Sequence, residues 1–306
     1  MKLSVIVPCK NEAGNVNKLS EEIKNVLKDV SYEIIFIDDG STDNTLEELK
    51  KISDIKIISF SKNFSKEAAI YAGLKYSTGK YACIIDGDLQ QDPKYLIKML
   101  DKLDNSNFDQ VVMVNKKRKE FFLTKIFKKL FYKLMNTISD VNFINGASDF
   151  RMFNSLVKNA VLEMGEVNRF SKGLFAWIGF NTCYMNYDVS KRYSGKSKFN
   201  FKESIKYALT GIIGFSIKPL KIATLFGIVS SISSFIYFFI LLIKTLIVGK
   251  DIPGYASILC VILLLGGIQL VTIGILGEYI GRTYIEVKKR PIYLIKEKIG
   301  FDESLL

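Results

Sequence analysis

Residues 81–90 read YACIIDGDLQ, an apolar run that ends in two aspartates separated by one glycine. Comparable apolar runs recur through the first 115 residues and alternate with helix-length segments of mixed polarity. This alternation predicts an α/β domain with a mostly parallel sheet and crossover helices. The predicted strands are 3–7, 33–37, 55–60, 81–85 and 110–114, and the predicted helices are 15–28, 42–52, 66–76 and 93–103.

Polar residues follow three of these strands at their C-terminal ends, the edge where open α/β sheets bind ligands. They are residues 8–12 (PCKNE), 38–41 (DDGS) and 86–88 (DGD). Asp86 and Asp88 could direct two carboxylates at one Mg²⁺ or Mn²⁺ that bridges a diphosphate. The structural alternative is that strand-end aspartates only cap turns and helices. Neither GxGxxG nor GxxxxGK follows the first strand, which argues against a dinucleotide dehydrogenase and a P-loop enzyme.

The residue inventory limits the available chemistry. The chain contains no histidine, so carboxylates must act as any general base or metal ligand. Its four cysteines lie far apart without a CxxC pair, so neither a disulfide framework nor a zinc cluster is predicted.

Two long uncharged runs occupy the C-terminal third of the chain. Residues 222–243 give 22 positions without a charged side chain, and residues 252–277 give 26. Each run is long enough to cross a hydrocarbon layer of about 30 Å, which predicts a transmembrane hairpin over residues 222–281 rather than two buried core helices. Basic residues flank the hairpin, and the positive-inside rule places both termini in the cytoplasm.

The charge of the chain is distributed unevenly. Residues 1–112 carry a net charge of −3, residues 113–221 carry +13 and residues 222–306 carry +2. A basic block beside a membrane segment favours anionic lipid headgroups first and phosphate groups second, with nucleic acid a weaker third.

Helical spacing within the basic block adds two elements to the domain prediction. Residues 120–138 predict a basic interfacial helix, with a helix packed on the sheet as the alternative. The predicted domains are a catalytic domain over 1–200, an amphipathic juxtamembrane helix over 201–221, the hairpin over 222–281 and a cytoplasmic basic tail over 282–306.

In combination, these motifs resemble the GT-A glycosyltransferases of family 2. The motifs that carry this resemblance are VP at 7–8, NE at 11–12, DDGS at 38–41, DGDLQ at 86–90, DP at 92–93 and ASDFR at 147–151. A narrower resemblance, to the polyisoprenyl-phosphate glycosyltransferases, rests on RYSGKS at 192–197, FS at 215–216, PL at 219–220, GEYIGR at 277–282 and KRP at 289–291. The implied fold is a Rossmann-like GT-A domain with amphipathic juxtamembrane helices and two C-terminal transmembrane helices. The QxxRW pattern of processive polysaccharide synthases is absent, which argues against a polymerising relative.

The resemblance also implies roles for individual residues. Those expected to bind the nucleotide-sugar are Pro8, Asn11, Glu12, Asp39, Asp86, Arg192, Lys196 and Ser197. Asp86 and Asp88 would hold Mg²⁺ or Mn²⁺, and Asp88 and Asp149 are the expected catalytic residues, with Asp149 near the acceptor. Arg169 and Lys172 would contact the acceptor phosphate.

The implied function is inverting transfer of one sugar, with UDP-glucose the favoured donor, to undecaprenyl phosphate at the cytoplasmic face of a bacterial inner membrane. Self-association is left open, and no nucleic-acid partner is expected. One alternative uses GDP-mannose, another UDP-sugar or another lipid acceptor. An alternative of a different class is a non-catalytic membrane partner of a lipid flippase.

Overall fold

A computed structural model describes residues 1–115, 141, 144–190, 210–248 and 254–301 of the chain. The predicted interfacial helix at 120–138, the 192–197 motif and residues 201–209 of the predicted juxtamembrane helix lie outside these described residues.

The described residues form an eight-stranded mixed sheet in the order β7-β5-β6-β4-β1-β2-β3-β8. Neighbours in the central β4-β1-β2-β3 part run parallel, as do β5 and β7, whereas β6 and β8 run antiparallel to their neighbours. The strands are β1 (Leu3–Cys9), β2 (Tyr32–Asp38), β3 (Lys56–Phe60), β4 (Tyr81–Ile84), β5 (Gln110–Asn115), β6 (Ala147–Asn154), β7 (Thr182–Tyr187) and β8 (Ile295–Ile299). The predicted α/β class is confirmed.

Helices cover both faces of this sheet, which explains why its strands are apolar throughout rather than alternating. The helices are α1 (Val16–Val26), α2 (Thr45–Lys50), α3 (Lys66–Tyr76), α4 (Tyr95–Asp104), α5 (Ser155–Glu163), α6 (Ser171–Trp177), α7 (Lys218–Val248) and α8 (Tyr255–Val287). One core packs α1, α2 and α4 against the sheet, and the other packs α3, α5 and α6 against the opposite face. Val5 and Val7 of β1 belong to the first core, and Ile6 between them belongs to the second.

The helices α7 and α8 are each long and apolar enough to cross a membrane. The C-terminal end of α8 is bound to the sheet domain and to the segment before α7. The Tyr279 hydroxyl donates to the Ser216 carbonyl over 2.6 Å, and the Glu286 carboxylate accepts from the backbone N–H groups of Val167 and Asn168 at 3.0–3.1 Å. The exit of the apolar hairpin is therefore fixed to the segment that precedes α6.

The segment predicted as a cytoplasmic basic tail, residues 282–306, contains regular structure within its described part. Helix α8 continues to Val287, and β8 then pairs antiparallel with β3, with Ile299 opposite Ile57 and Lys298 opposite Ile58. The pairing covers an edge of the sheet that would otherwise expose unpaired backbone groups. The chain thus leaves the sheet domain, forms the hairpin and returns to complete the same sheet.

A buried ion pair in this sheet gives a stability prediction. Glu33 is 5% exposed, and its carboxylate accepts from Lys56 Nζ at 2.7 Å and from the backbone N–H of Thr78 at 2.7 Å. Burial alone would raise the pKa of Glu33, but these hydrogen bonds outweigh it and lower the pKa below its ordinary value of 4.5. Glu33→Gln should therefore lower the free energy of unfolding by about 2 kcal/mol at pH 7.

The pH dependence of that loss has a definite sign. Because the pKa of Glu33 is lower in the folded state, its contribution is present above pH 4.5 and disappears as the pH falls through the folded-state value. Urea titrations of the full chain read by pulse proteolysis should show wild type and Glu33→Gln converging at low pH. Glu21→Gln, on the exposed side of α1, is the matched control. A constant difference from pH 7 to pH 3 would contradict the assignment.

Candidate functional site

Two distant carboxylates meet at one edge of the sheet because β6 runs antiparallel beside β4. In this register Ile84 lies opposite Arg151. Continuing the register by two residues places Asp149 opposite Asp86, just beyond the C-terminal end of β4. Asp86 and Asp149 are among the predicted site residues, and the structure brings them together.

Lys66 joins these two carboxylates. Its Nζ lies 2.6 Å from Oδ1 of Asp86 and 2.8 Å from Oδ2 of Asp149. Burial alone would lower the pKa of Lys66, but the two aspartates raise it above its ordinary value. At Asp86, burial and the negative charge of Asp149 outweigh Lys66, so the pKa of Asp86 is raised. Lys66 is the first residue of α3, where a positive charge opposes the helix dipole, and the two carboxylates compensate for that position.

Lys66, Asp86 and Asp149 form a charged cluster, and Asp149 is its most strongly ionised carboxylate. Burial raises its pKa, but Lys66, Lys172 and Arg151 outweigh burial and hold the pKa well below its usual range. Its Oδ1 is buried and has no hydrogen-bond partner among the described residues. A negatively charged oxygen is therefore held at the site with capacity for a further donor.

The turn after β4 is fixed by a buried glutamine. The backbone N–H of Asp86 donates to Oε1 of Gln91 over 2.9 Å, and Nε2 of Gln91 donates back to Oδ2 of Asp86 over 2.8 Å. The backbone N–H of Gln90 donates to Oδ1 of Asp88 over 3.1 Å. Leu89 adopts the left-handed backbone conformation with φ of 58°, which completes this tight turn.

The residues at this turn fit a divalent cation. Asp86 and Asp88 supply hard oxygen ligands, and Oδ1 of Asp86 already binds a cationic group, the ammonium of Lys66. In the described part of the chain, no group of three or more Cys, Asp or Glu side chains is arranged to hold a metal ion. Magnesium sites in nucleotide-dependent enzymes commonly use one or two carboxylates together with substrate phosphates and water, and two aspartates suffice for such a site.

The predicted nucleotide residues Asn11 and Glu12 connect two loops at the same edge. The backbone N–H of Asn11 donates to Oγ of Ser41 over 2.9 Å, and the backbone N–H of Thr42 donates to Oδ1 of Asn11 over 2.8 Å. The backbone N–H of Glu12 donates to Oγ1 of Thr45 over 2.8 Å. These contacts hold the loops after β1 and β2 in one arrangement.

Asp39 holds the loop that leads to α3 through hydrogen bonds. Its carboxylate accepts from the backbone N–H groups of Phe64 at 2.6 Å and Ser65 at 3.1 Å, and burial raises its pKa despite these bonds. Asp38 accepts from neighbouring polar groups and closes its own turn, as the structural alternative predicted. Pro8 is buried within β1. The predicted contacts of Pro8 and Asp39 to a nucleotide remain predictions.

Lys172 reaches the cluster through α6. Glu67, the neighbour of Lys66, accepts from the backbone N–H of Ser171 at 2.8 Å and also from its hydroxyl. This contact fixes the start of α6, and the charge of the next residue, Lys172, acts on Asp149. A contact from Lys172 to an acceptor phosphate is consistent with this position and remains a prediction.

Arg169 is held by the protein itself. It is 6% exposed, its guanidinium donates to the carbonyls of Met164 and Val161, and its Cζ lies 4.5 Å from the centre of the Tyr71 ring. These contacts give Arg169 a structural role in the segment that Glu286 binds. Its contact to the acceptor phosphate remains a prediction.

Three predicted site residues, Arg192, Lys196 and Ser197, lie outside the described residues. Three residues that shape the site were missed by sequence reasoning: Lys66, Glu67 and Gln91. A lysine at the first position of a predicted helix, at the ligand-binding edge of the sheet, was the available signal for Lys66. No sequence pattern marked Gln91, because its support of the turn is visible only from its burial in the folded structure.

Known proteins resemble the chain over nearly its whole length. Residues 4–163 match the model of glycosyl transferase family 2, and residues 218–283 match that of the GtrB C-terminal hairpin. CsbB of Bacillus subtilis (strain 168) is 41% identical over 301 residues, covering 96% of this chain and 91% of that protein. The prophage bactoprenol glucosyl transferase homolog of Escherichia coli (strain K12) is 40% identical over 303 residues, covering 97% and 99%. A solved structure of a mycobacterial protein has a TM-score of 0.50 at 16% identity, covering 69% of this chain and 72% of that one, which shows a shared fold alone.

Proposed function

This chain belongs to glycosyltransferase family 2, and from that premise we propose that it transfers one sugar from a nucleotide-sugar to a polyisoprenyl phosphate at a membrane surface. The acceptor class follows the bactoprenol glucosyl transferase relatives. UDP-glucose is the proposed donor, and undecaprenyl phosphate is the proposed acceptor.

One observation carries the choice of a lipid acceptor. Glu286, at the end of the second apolar helix, binds the backbone of Val167 and Asn168. Four residues after Asn168, Lys172 acts on the charge of Asp149. The membrane hairpin is therefore connected to the catalytic carboxylate by one short, fixed segment, which suits a phosphate that emerges from a bilayer.

The cluster supports this reaction mainly by holding charges in place. A lipid monophosphate has a second pKa of about 6, so most acceptor molecules reach the site already ionised near neutral pH. With its low pKa, Asp149 is a weak base, and its role is to orient the cations Lys66 and Lys172 around the acceptor. Alignment and charge neutralisation then make the main contribution to the rate.

The bond changes amount to a single displacement. An oxygen of the lipid phosphate forms the new bond to the anomeric carbon, and the bond from that carbon to the diphosphate oxygen breaks, so configuration inverts. A divalent cation held by Asp86 and Asp88 would stabilise the negative charge of the departing nucleoside diphosphate. This scheme requires no covalent intermediate on the enzyme.

The sheet domain and both termini lie on the cytoplasmic side of the inner membrane in this proposal, with the connection between α7 and α8 outside. Basic residues before α7 and after α8 support this orientation, because positive loops stay in the cytoplasm. Nucleotide-sugars are also cytoplasmic substrates in this scheme.

Cysteine labelling should report the proposed orientation. In intact cells, a membrane-impermeant maleimide should label Gly254→Cys, whereas Cys183, which is partly exposed on the sheet domain, should react only after permeabilisation. Cys9 and Cys83 are buried, but Cys260 on α8 is exposed, so labelling at position 254 is read as the increase over the wild type. Labelling of Cys183 in intact cells with protection of position 254 would reverse the topology.

The donor is tested with a panel of nucleotide-sugars. Full-length protein in detergent, undecaprenyl phosphate and Mg²⁺ or Mn²⁺ are incubated with UDP-glucose, other UDP-sugars or GDP-mannose, and the lipid is identified by mass. The proposal expects UDP-glucose to give the highest kcat/KM. A higher value for another donor would replace the sugar and keep the reaction class, whereas unmodified lipid with every donor would reject the function.

A further inference from the structure

A cavity lies at the same edge of the sheet, and neither Lys66 nor Asp86, Asp88 and Asp149 line it. It has a volume of about 390 Å³ and opens at the C-terminal ends of β2 and β3. This volume lies in the range of cavities that hold small ligands. Three lysines, Lys10, Lys62 and Lys296, contribute to its lining, together with the carboxylate of Asp38. Asp38 already accepts hydrogen bonds from the backbone N–H of Ser41 and from the hydroxyl of Ser59.

Lys296 reaches this cavity because β8 contains a bulge. Ser59 of β3 lies opposite Glu297, but the next residue, Phe60, lies opposite Ile295, so Lys296 has no opposite residue on β3. A bulge redirects the side chain of the extra residue, and such bulges are common beside active sites. Lys296 is exposed and makes no hydrogen bond or ion pair with any residue that the structure describes.

The two residues that follow Lys296 on β8 contact other parts of the protein. Glu297 forms an ion pair with Lys50 at 3.0 Å, and Lys298 lies 5.1 Å from the centre of the Tyr76 ring. These two side chains hold β8 against the helices, and Lys296 is left to face the cavity. The residue comes from the segment after the membrane hairpin, far from the rest of the cavity in sequence.

The position of the cavity matches the nucleoside end of a donor. Asp86 follows β4, and two strands, β1 and β2, separate β4 from β3. At roughly 4.8 Å per strand, the β3 side of the cavity lies about 14 Å from β4 along the sheet. A donor with its diphosphate at Asp86 and Asp88 would extend its nucleoside along the sheet edge toward this cavity.

We propose that Lys296 binds the base of the donor nucleotide and selects bases that present carbonyl oxygens. This inference rests on the proposed function for the placement of the diphosphate. Lysine ammonium groups only donate hydrogen bonds, so Lys296 favours uracil or guanine, which present a carbonyl oxygen where cytosine and adenine carry an amino group. Leaving such donors unpaired against cytosine or adenine costs affinity.

Equilibrium binding of nucleoside diphosphates to the full chain in detergent, without acceptor, tests the inference. UDP and GDP are measured first, in the presence of Mg²⁺, and the one that binds more tightly is kept. It is then compared with the nucleotide that carries an amino group in place of the carbonyl oxygen, which is CDP for UDP and ADP for GDP. Lys296→Ala should weaken binding of the preferred nucleotide about 10-fold, and binding of CDP or ADP less than about 2-fold. Lys298→Ala, on the same strand, should change neither value.

Two controls keep the outcome decisive. Lys296→Arg, which restores a cationic donor, should recover most of the affinity and show that β8 remains folded. Equal weakening of both nucleotides would indicate a phosphate contact and overturn the inference, as would unchanged binding. Because the readout is nucleotide binding alone, a wild type that binds selectively but forms no glycolipid would reject the proposed function and leave this inference standing.

Discussion

Asp88→Ala should lower the rate of glycolipid formation about a thousandfold, the largest effect expected for any single substitution in this chain. Asp88 lies on the tight turn after β4, where the backbone N–H of Gln90 fixes one of its carboxylate oxygens. The substitution removes one of two proposed ligands for the cation that neutralises the leaving diphosphate. The fold should be unaffected, because Asp86 and Gln91 still hold the start of the turn.

Two readouts separate a loss of the cation from a general loss of structure. Turnover is measured with saturating donor and acceptor, and Mn²⁺ binding is measured by electron paramagnetic resonance in the presence of UDP. Both should fall in Asp88→Ala and stay at the wild-type level in Asp101→Ala, which removes a carboxylate from the exposed side of α4. Wild-type turnover in Asp88→Ala would reject the metal assignment.

Lys66→Met should reduce kcat about 100-fold. Lys66 is the cation between Asp86 and Asp149, at 2.6 Å and 2.8 Å. Without it, the two carboxylates repel each other and the acceptor phosphate, and the charge that compensates Asp149 is lost. The predicted loss is therefore one of alignment and electrostatic stabilisation.

The controls for Lys66 are on the same helix. Lys66→Arg keeps a cation and should retain more activity than Lys66→Met, and Lys75→Met, at the exposed end of α3, should behave as wild type. Comparing kcat with KM for the donor distinguishes a role in the reaction from a role in binding. If Lys66→Met and Lys75→Met show the same kcat, Lys66 is a structural residue only.

The local pattern of apolar and polar residues was sufficient to predict the strands of the central sheet and the helices between them. Helix α3 begins and ends at the predicted residues, 66 and 76, and β1 to β5 lie within a few residues of their predicted positions. These elements have apolar runs with clear helical or strand length, bounded by turn residues. Neighbouring parallel strands then place their polar ends at one edge without further information.

Long-range pairing was not visible in the sequence. Strand β8 reads IKEKI, and its partner, β3, lies more than 200 residues earlier, so the segment was predicted only as part of a cytoplasmic basic tail. The meeting of Asp86 with Asp149 depends on the antiparallel register of β4 and β6, which was not predicted; the resemblance assigned each residue its own role in the site. Lys66 was overlooked because a lysine in a helix is usually a solvated residue.

The mass and anomeric configuration of the lipid formed by purified wild-type protein test the central claim most directly. With undecaprenyl phosphate, a divalent cation and UDP-glucose, the account predicts addition of one hexose per lipid with inverted configuration at the anomeric carbon. Unmodified undecaprenyl phosphate with every nucleotide-sugar tried, or a product with retained configuration, would contradict it.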